Sequence, residues 1–262
     1  GGLVGSEMCI RDSAWQASQH ALLTKLETHF AQHDYVLGGA PSLADFGLLA
    51  SLYAHLYRDA VSGFALRTHF PITSEWVERT NGEGALNARQ WGQKLYSIDD
   101  AGHLVGRPAT SDGGEWLPDD AMPETVLPLL EVFFEEMWPV LASSMEVLRD
   151  FIASDAHTAG DPLPGASFSA TAGFWHLQTD EGPLTHEFEI GGIRSRRMVV
   201  PYQIWMLGRL KRVVDRCVAR AEGQRAVEEL LGRFPRGGEL LELEDRLRGC
   251  RVVKEAGRLR SA

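Results

Sequence analysis

Ser42 and Asp45, three residues apart in "SLAD", are the first pair in this chain whose types could do chemistry. A serine nucleophile needs a base, and an aspartate can orient a histidine that serves as one. No histidine stands at a motif-like distance from the pair. The same spacing has a structural use at a helix start: Ser42 accepts from the third amide while Asp45, standing where glutamate is commoner, reaches back to the amide of Ser42. That role accounts for both residues. Ser42 and Asp45 are therefore read as a structural N-cap box, and no residue is assigned as catalytic.

A second set lies in "GGIRSRRMVVPYQIWML", where Arg194, Arg196 and Arg197 precede a helix whose start is marked by Pro201. Guanidinium groups and free backbone amides there could converge on an anion. The alternative is that the arginines pair with acidic side chains of an acidic protein, and the sequence leaves both open. The nine histidines are scattered, and no metal site is assigned. Glu135 and Glu136 are neighbours on a helix, point in different directions and read as a solvated face. Trp76, Trp138 and Trp205 lie on apolar stripes and read as core.

Composition bounds what such residues can serve. A hydrophobic content of 44% with 24% charged residues is that of a soluble globular protein, and a net charge of −10 argues against binding a nucleic-acid backbone. No stretch approaches the ~20 apolar residues that span a bilayer, so a membrane protein is not expected. Of three cysteines, Cys9 in the opening run is set aside, and Cys217 and Cys250 have no metal-like spacing and fit a reducing compartment.

The elements that must position these residues follow from periodicity. Trp15, Leu22, Leu26 and Phe30 share a helical face over residues 14–33. Gly38, Gly39 and Pro41 then break the chain, and the box opens a helix over residues 43–58 with Phe46, Leu49, Tyr53 and Leu56 as its buried stripe. Pro71 starts a third helix to about Thr80, with Ile72 and Trp76 inward. "KLYSIDDAGHLVG" predicts two short strands about a turn at Gly102. Residues 124–154 carry the strongest helical period, interrupted by Pro139. Residues 155–198 hold one short strand at "THEFEI". Helices follow at residues 199–220, with Tyr202, Met206, Leu210, Val213 and Cys217 on one side, and at residues 223–233 and 239–258.

The opening run "LVGSEMCIRDS" has no periodicity and no caps. Back-translated, Leu3 to Ser13 fits a transposase-based sequencing adapter read in frame. Residues 1–13 are accordingly expected to be adapter-derived and non-native, on a genomic or metagenomic fragment whose natural chain starts near Ala14.

The helix with "LLTKLETHF", the link "YVLGGAPSLADF" and the helix opening "FPITSEWVERT" together resemble the C-terminal helical domain of the glutathione S-transferases. In that family the Ser/Thr-x-x-Asp box starts the central helix, and the Pro…Trp segment packs beside it. The resemblance covers residues 14 to about 80. It implies a thioredoxin-like domain as partner, which holds the glutathione site and the catalytic Ser, Cys or Tyr. Two departures stand out. Only the adapter-like run precedes these helices, without the usual first helix of the domain, which contributes to the hydrophobic-substrate site. Residues 81–262 exceed what a typical member carries and resemble the long extension of some bacterial transferase-like proteins.

The expected fold is all-α: a transferase-type helical domain over residues 14–91, a hairpin and loop over 92–122, and a helical extension over 123–262. The resemblance implies a cytoplasmic parent that conjugates or reduces with glutathione as co-substrate, and that could form a homodimer. This fragment is expected to bind no cofactor and to be inactive. The alternative function is a non-catalytic transferase-like module for protein docking, as such domains serve in some translation-associated proteins.

Overall fold

In the computed structural model, which describes residues 3–81, 95–107, 115–167 and 176–262, the first helix, α1, spans Leu3–Phe30. It buries Leu23, Leu26 and Phe30. Helical conformation continues through the run read as adapter, because a chain without proline extends a nucleated helix at little cost. The helix therefore carries no signature of that segment's origin.

The chain divides into two units, Gly1–Leu130 and Glu131–Ala262. In the first, α2 spans Leu43–Ser51 and passes into a wider π-helical turn at Leu52–Tyr57. Helix α3, Ala60–His69, is capped by Asp59, whose carboxylate accepts from the amides of Val61 and Ser62. The turn before it is tight enough that a Cβ on Gly63 would lie 2.3 Å from the Tyr57 carbonyl oxygen. Helix α4, Pro71–Thr80, begins on the proline. Leu26, Phe30, Tyr35, Leu66, Trp76 and Val77 form the centre of one core, with Trp76 stacked on Phe30 at 4.5 Å. Strands β1, Leu95–Ile98, and β2, Leu104–Arg107, pair antiparallel about a turn in which Gly102 takes φ +82°.

The second unit begins within α5, Leu127–Val132, followed by a π-helical turn at Phe133–Met137 and by α6, Trp138–Ala153. Pro139 stands in the first turn of α6, so the long apolar period is divided there. Strand β3, Pro162–Ser167, joins the C-terminal strands β8, Val252–Glu255, and β9, Arg258–Ser261, in a sheet of order β3-β9-β8. Between them lie the short β4, Gln178–Thr179, and β5, Gly182–Pro183, then the hairpin of β6, Thr185–Ile190, and β7, Ile193–Met198. Helices α7, Pro201–Val218, α8, Ala221–Leu231, and the short α9, Leu243–Leu247, complete the unit. Its core includes Trp138, Met145, Leu148, Leu177, Ile204 and Leu243.

The chain is mostly helical, and three expectations need correction. The all-α description fails in the extension, where three small sheets stand beside the helices. The helix expected over residues 239–258 stops at Leu247, and the chain returns as the β8–β9 hairpin. Of the stripe expected to bury the helix after the box, Leu49, Tyr53 and Leu56 pack against the core, but Phe46 is 55% exposed and Asp45 and Leu52 are buried instead. On α7 the buried residues are Ile204 and Leu207, and the side that carries Met206, Val213 and Cys217 faces solvent, an orientation the sequence leaves unassigned. A stripe identifies an apolar face, but the neighbour that covers it lies elsewhere in the chain. Among the described residues no helix is long and apolar enough to cross a membrane.

Candidate functional site

The box is more than a helix cap. Asp45 is fully buried, and its carboxylate accepts four hydrogen bonds. Oδ2 takes the Ser42 amide at 2.8 Å and the Ser42 hydroxyl at 2.7 Å. Oδ1 takes the Val36 amide and the Trp76 indole, each at 3.0 Å. One carboxylate thus ties together the start of α2, the preceding link and α4. Ser42 donates its proton to this acid, so the pair contains no activated nucleophile. The adjacent Tyr35 phenol is pushed up to about 12, chiefly by burial, and stays protonated at neutral pH. Arg79, almost wholly buried, lies over the Tyr35 ring and donates to the Asp34 carbonyl oxygen at 2.6 Å. This part of the first unit is a polar brace.

Sequence reasoning passes over His29 and His33, which stand four apart with ring centroids 5.3 Å from each other. His29 is fully buried; its Nδ1 meets the Thr125 hydroxyl at 2.7 Å and its Nε2 the Tyr35 carbonyl oxygen at 3.2 Å. With both nitrogens engaged it is a poor ligand, and among the described residues no group of three side chains could hold a metal ion.

The three arginines of the second unit separate. Register in the β6–β7 hairpin sets Glu189 opposite Arg194, Glu187 opposite Arg196 and His186 opposite Arg197. Directly opposed residues share a face, and the faces alternate along a strand. Arg194 and Arg196 pair across the strands with Glu189 at 3.6 Å and Glu187 at 2.7 Å, all four side chains well exposed. Arg196 beside it holds the Glu187 carboxyl below its ordinary range. Arg197 lies on the other face with His186, and among the described residues no carboxylate pairs with it. Thr185, His186, Arg196, Arg197 and Met198 of the hairpin line a cleft of ≈ 430 Å³, together with Val140 of α6 and Val200 and Gln203 at the start of α7; the Arg196 guanidinium at its rim is held by Glu187.

His186 is the functional-type residue that sequence reading missed. It is buried, with Nδ1 at 2.7 Å from the Ser143 hydroxyl on α6. Burial, reinforced by the Arg197 charge, pushes its pKa down, so the ring is neutral at pH 7. The Ser143 hydroxyl also lies 3.2 Å from the Val140 carbonyl oxygen, so the ring is tied to the first turns of α6. The alternation of exposed and buried residues along "THEFEI" puts His186 inward with Phe188. That alternation was the available signal, although nothing local names Ser143 as its partner.

Residues 13–79 match the model of the glutathione S-transferase C-terminal domain, and this segment is a domain of that family. No curated protein and no solved structure matches the chain.

Proposed function

We propose that the chain supplies the helical part of a glutathione S-transferase-like protein. In this reading a thioredoxin-like partner domain activates the glutathione thiol against an electrophile or disulfide, in the cytoplasm. The observation that carries it is the family match over residues 13–79, joined to the Asp45 brace at the position where that family starts its central helix. Among the described residues of that segment no side chain is arranged to activate a thiol: Ser42 is bonded to an acid and the Tyr35 phenol is buried and protonated. Lowering a thiol pKa needs a cationic or donor environment at the sulfur.

The chain by itself should neither be retained on immobilised glutathione nor conjugate 1-chloro-2,4-dinitrobenzene above the uncatalysed rate. Measured turnover would move the thiol site into this chain. Recovery of the upstream reading frame from the source DNA tests the wider reading. A thioredoxin-like segment with a Ser, Cys or Tyr near its first strand supports the enzyme, and an unrelated domain overturns it. A docking module is the second reading, favoured by the exposed apolar residues Leu43 and Phe46 on α2 and Val61 and Phe64 on α3.

A further inference from the structure

We propose that the cleft between the β6–β7 hairpin and the start of α7 binds a small organic monocarboxylate with an apolar body. The anchor is the Arg197 guanidinium, whose planar fork matches a carboxylate. Arg194 and Arg196 are engaged by Glu189 and Glu187 across the strands, so Arg197 is the one arginine of the hairpin whose charge no described carboxylate offsets. In a protein of net charge −10, an uncompensated cation beside a cleft is a specific attraction for an anion. Val200, the N-cap of α7, offers no side-chain cap, and the positive end of this 18-residue helix opens on the same cleft through Val200 and Gln203.

Charge and lining narrow the ligand class. One available guanidinium balances one negative charge; a phosphate dianion asks for a second cation, and Arg196 is already held at 2.7 Å by Glu187. The wall is largely apolar, formed by Val140, Met198 and Val200, and a volume of ≈ 430 Å³ admits a molecule of modest size. His186, kept neutral by burial, lines the cleft without adding charge. Together these features select a carboxylate on a short aliphatic or aromatic body.

Titration calorimetry on the full chain with hexanoate and phenylacetate, against hexanamide and inorganic phosphate, tests this. One equivalent of carboxylate should bind, hexanamide should bind at least about tenfold more weakly, and phosphate should bind more weakly than either acid. Arg197→Gln should weaken hexanoate binding about tenfold or more, Arg197→Lys should weaken it less, and Arg194→Gln, at a residue that is paired with Glu189 and does not line the cleft, should leave it within about threefold. Arg197 is exposed, so these variants should keep the wild-type melting temperature, and that check separates lost binding from lost folding. Absence of hexanoate binding at tens of millimolar, binding unchanged by Arg197→Gln, or a preference for phosphate would each overturn the proposal.

Discussion

Two neighbouring side chains with the same nominal role, Ser42 and Asp45, should behave differently when removed. Ser42→Ala deletes one hydroxyl from a helix start and should cost about 1 kcal/mol, the ordinary loss of a cap. Asp45→Ala removes the acceptor of four bonds and leaves the Val36 amide and the Trp76 indole buried without partners, for a cost of about 3 kcal/mol or more. Urea midpoints of the two variants decide it, and equal losses would reduce Asp45 to a simple cap. The cysteines make a similar contrast. Burial raises the Cys250 thiol pKa, and its Sγ is fully enclosed at 3.4 Å from the Arg246 carbonyl oxygen, whereas Cys217 is exposed. A maleimide added to the native protein carrying Cys9→Ser should label Cys217 quickly and Cys250 only after denaturation, which peptide mapping would read directly.

At the scale of elements, α4 is held by a residue far from it in sequence. Its N-cap, Phe70, has no side chain that can accept, and the Glu27 carboxylate from α1 takes the amides of Ile72 and Thr73 at 2.9 and 2.8 Å and the Thr73 hydroxyl at 2.7 Å. Glu27→Ala should therefore destabilise the first unit by about 2 kcal/mol and speed amide exchange at Ile72 and Thr73. Protection at those two amides equal to wild type would show that another group caps the helix. This contact also marks what the sequence could and could not reveal. The starts of α2, α4 and α7 were legible because Ser42, Pro71 and Pro201 act on their own backbone. Helix α3 was missed because Gly63 interrupts its pattern and its apolar residues Val61 and Phe64 face outward. The C-terminal hairpin was misread as helix because its sheet is completed by β3, with Pro162 opposite Arg260, a pairing no local window contains. In the same way, the three arginines were visible as a group, but register alone divided them between two faces and brought Ser143 to His186.

Among the described residues one core is centred on Phe30 and Trp76 and another on Trp138 and Leu148, one in each of the two compact units. Such a chain should not unfold in a single two-state step. Each unit offers its own lever. Asp45→Ala acts on Gly1–Leu130 and should lower one calorimetric transition while amide protection in α6 and the β6–β7 hairpin stays at its wild-type level. His186 acts on Glu131–Ala262. Its folded pKa lies below the ordinary 6.5, so between that value and the folded pKa the unfolded chain binds more protons than the native one. The neutral ring's contribution to stability is present above pH 6.5 and is lost as the pH falls through that range. When pH 5.5 is compared with pH 7.5, the second unit's transition should drop further in the wild type than in His186→Asn, where the titrating group is gone. A single transition that both levers move together would mean that the two cores fold as one.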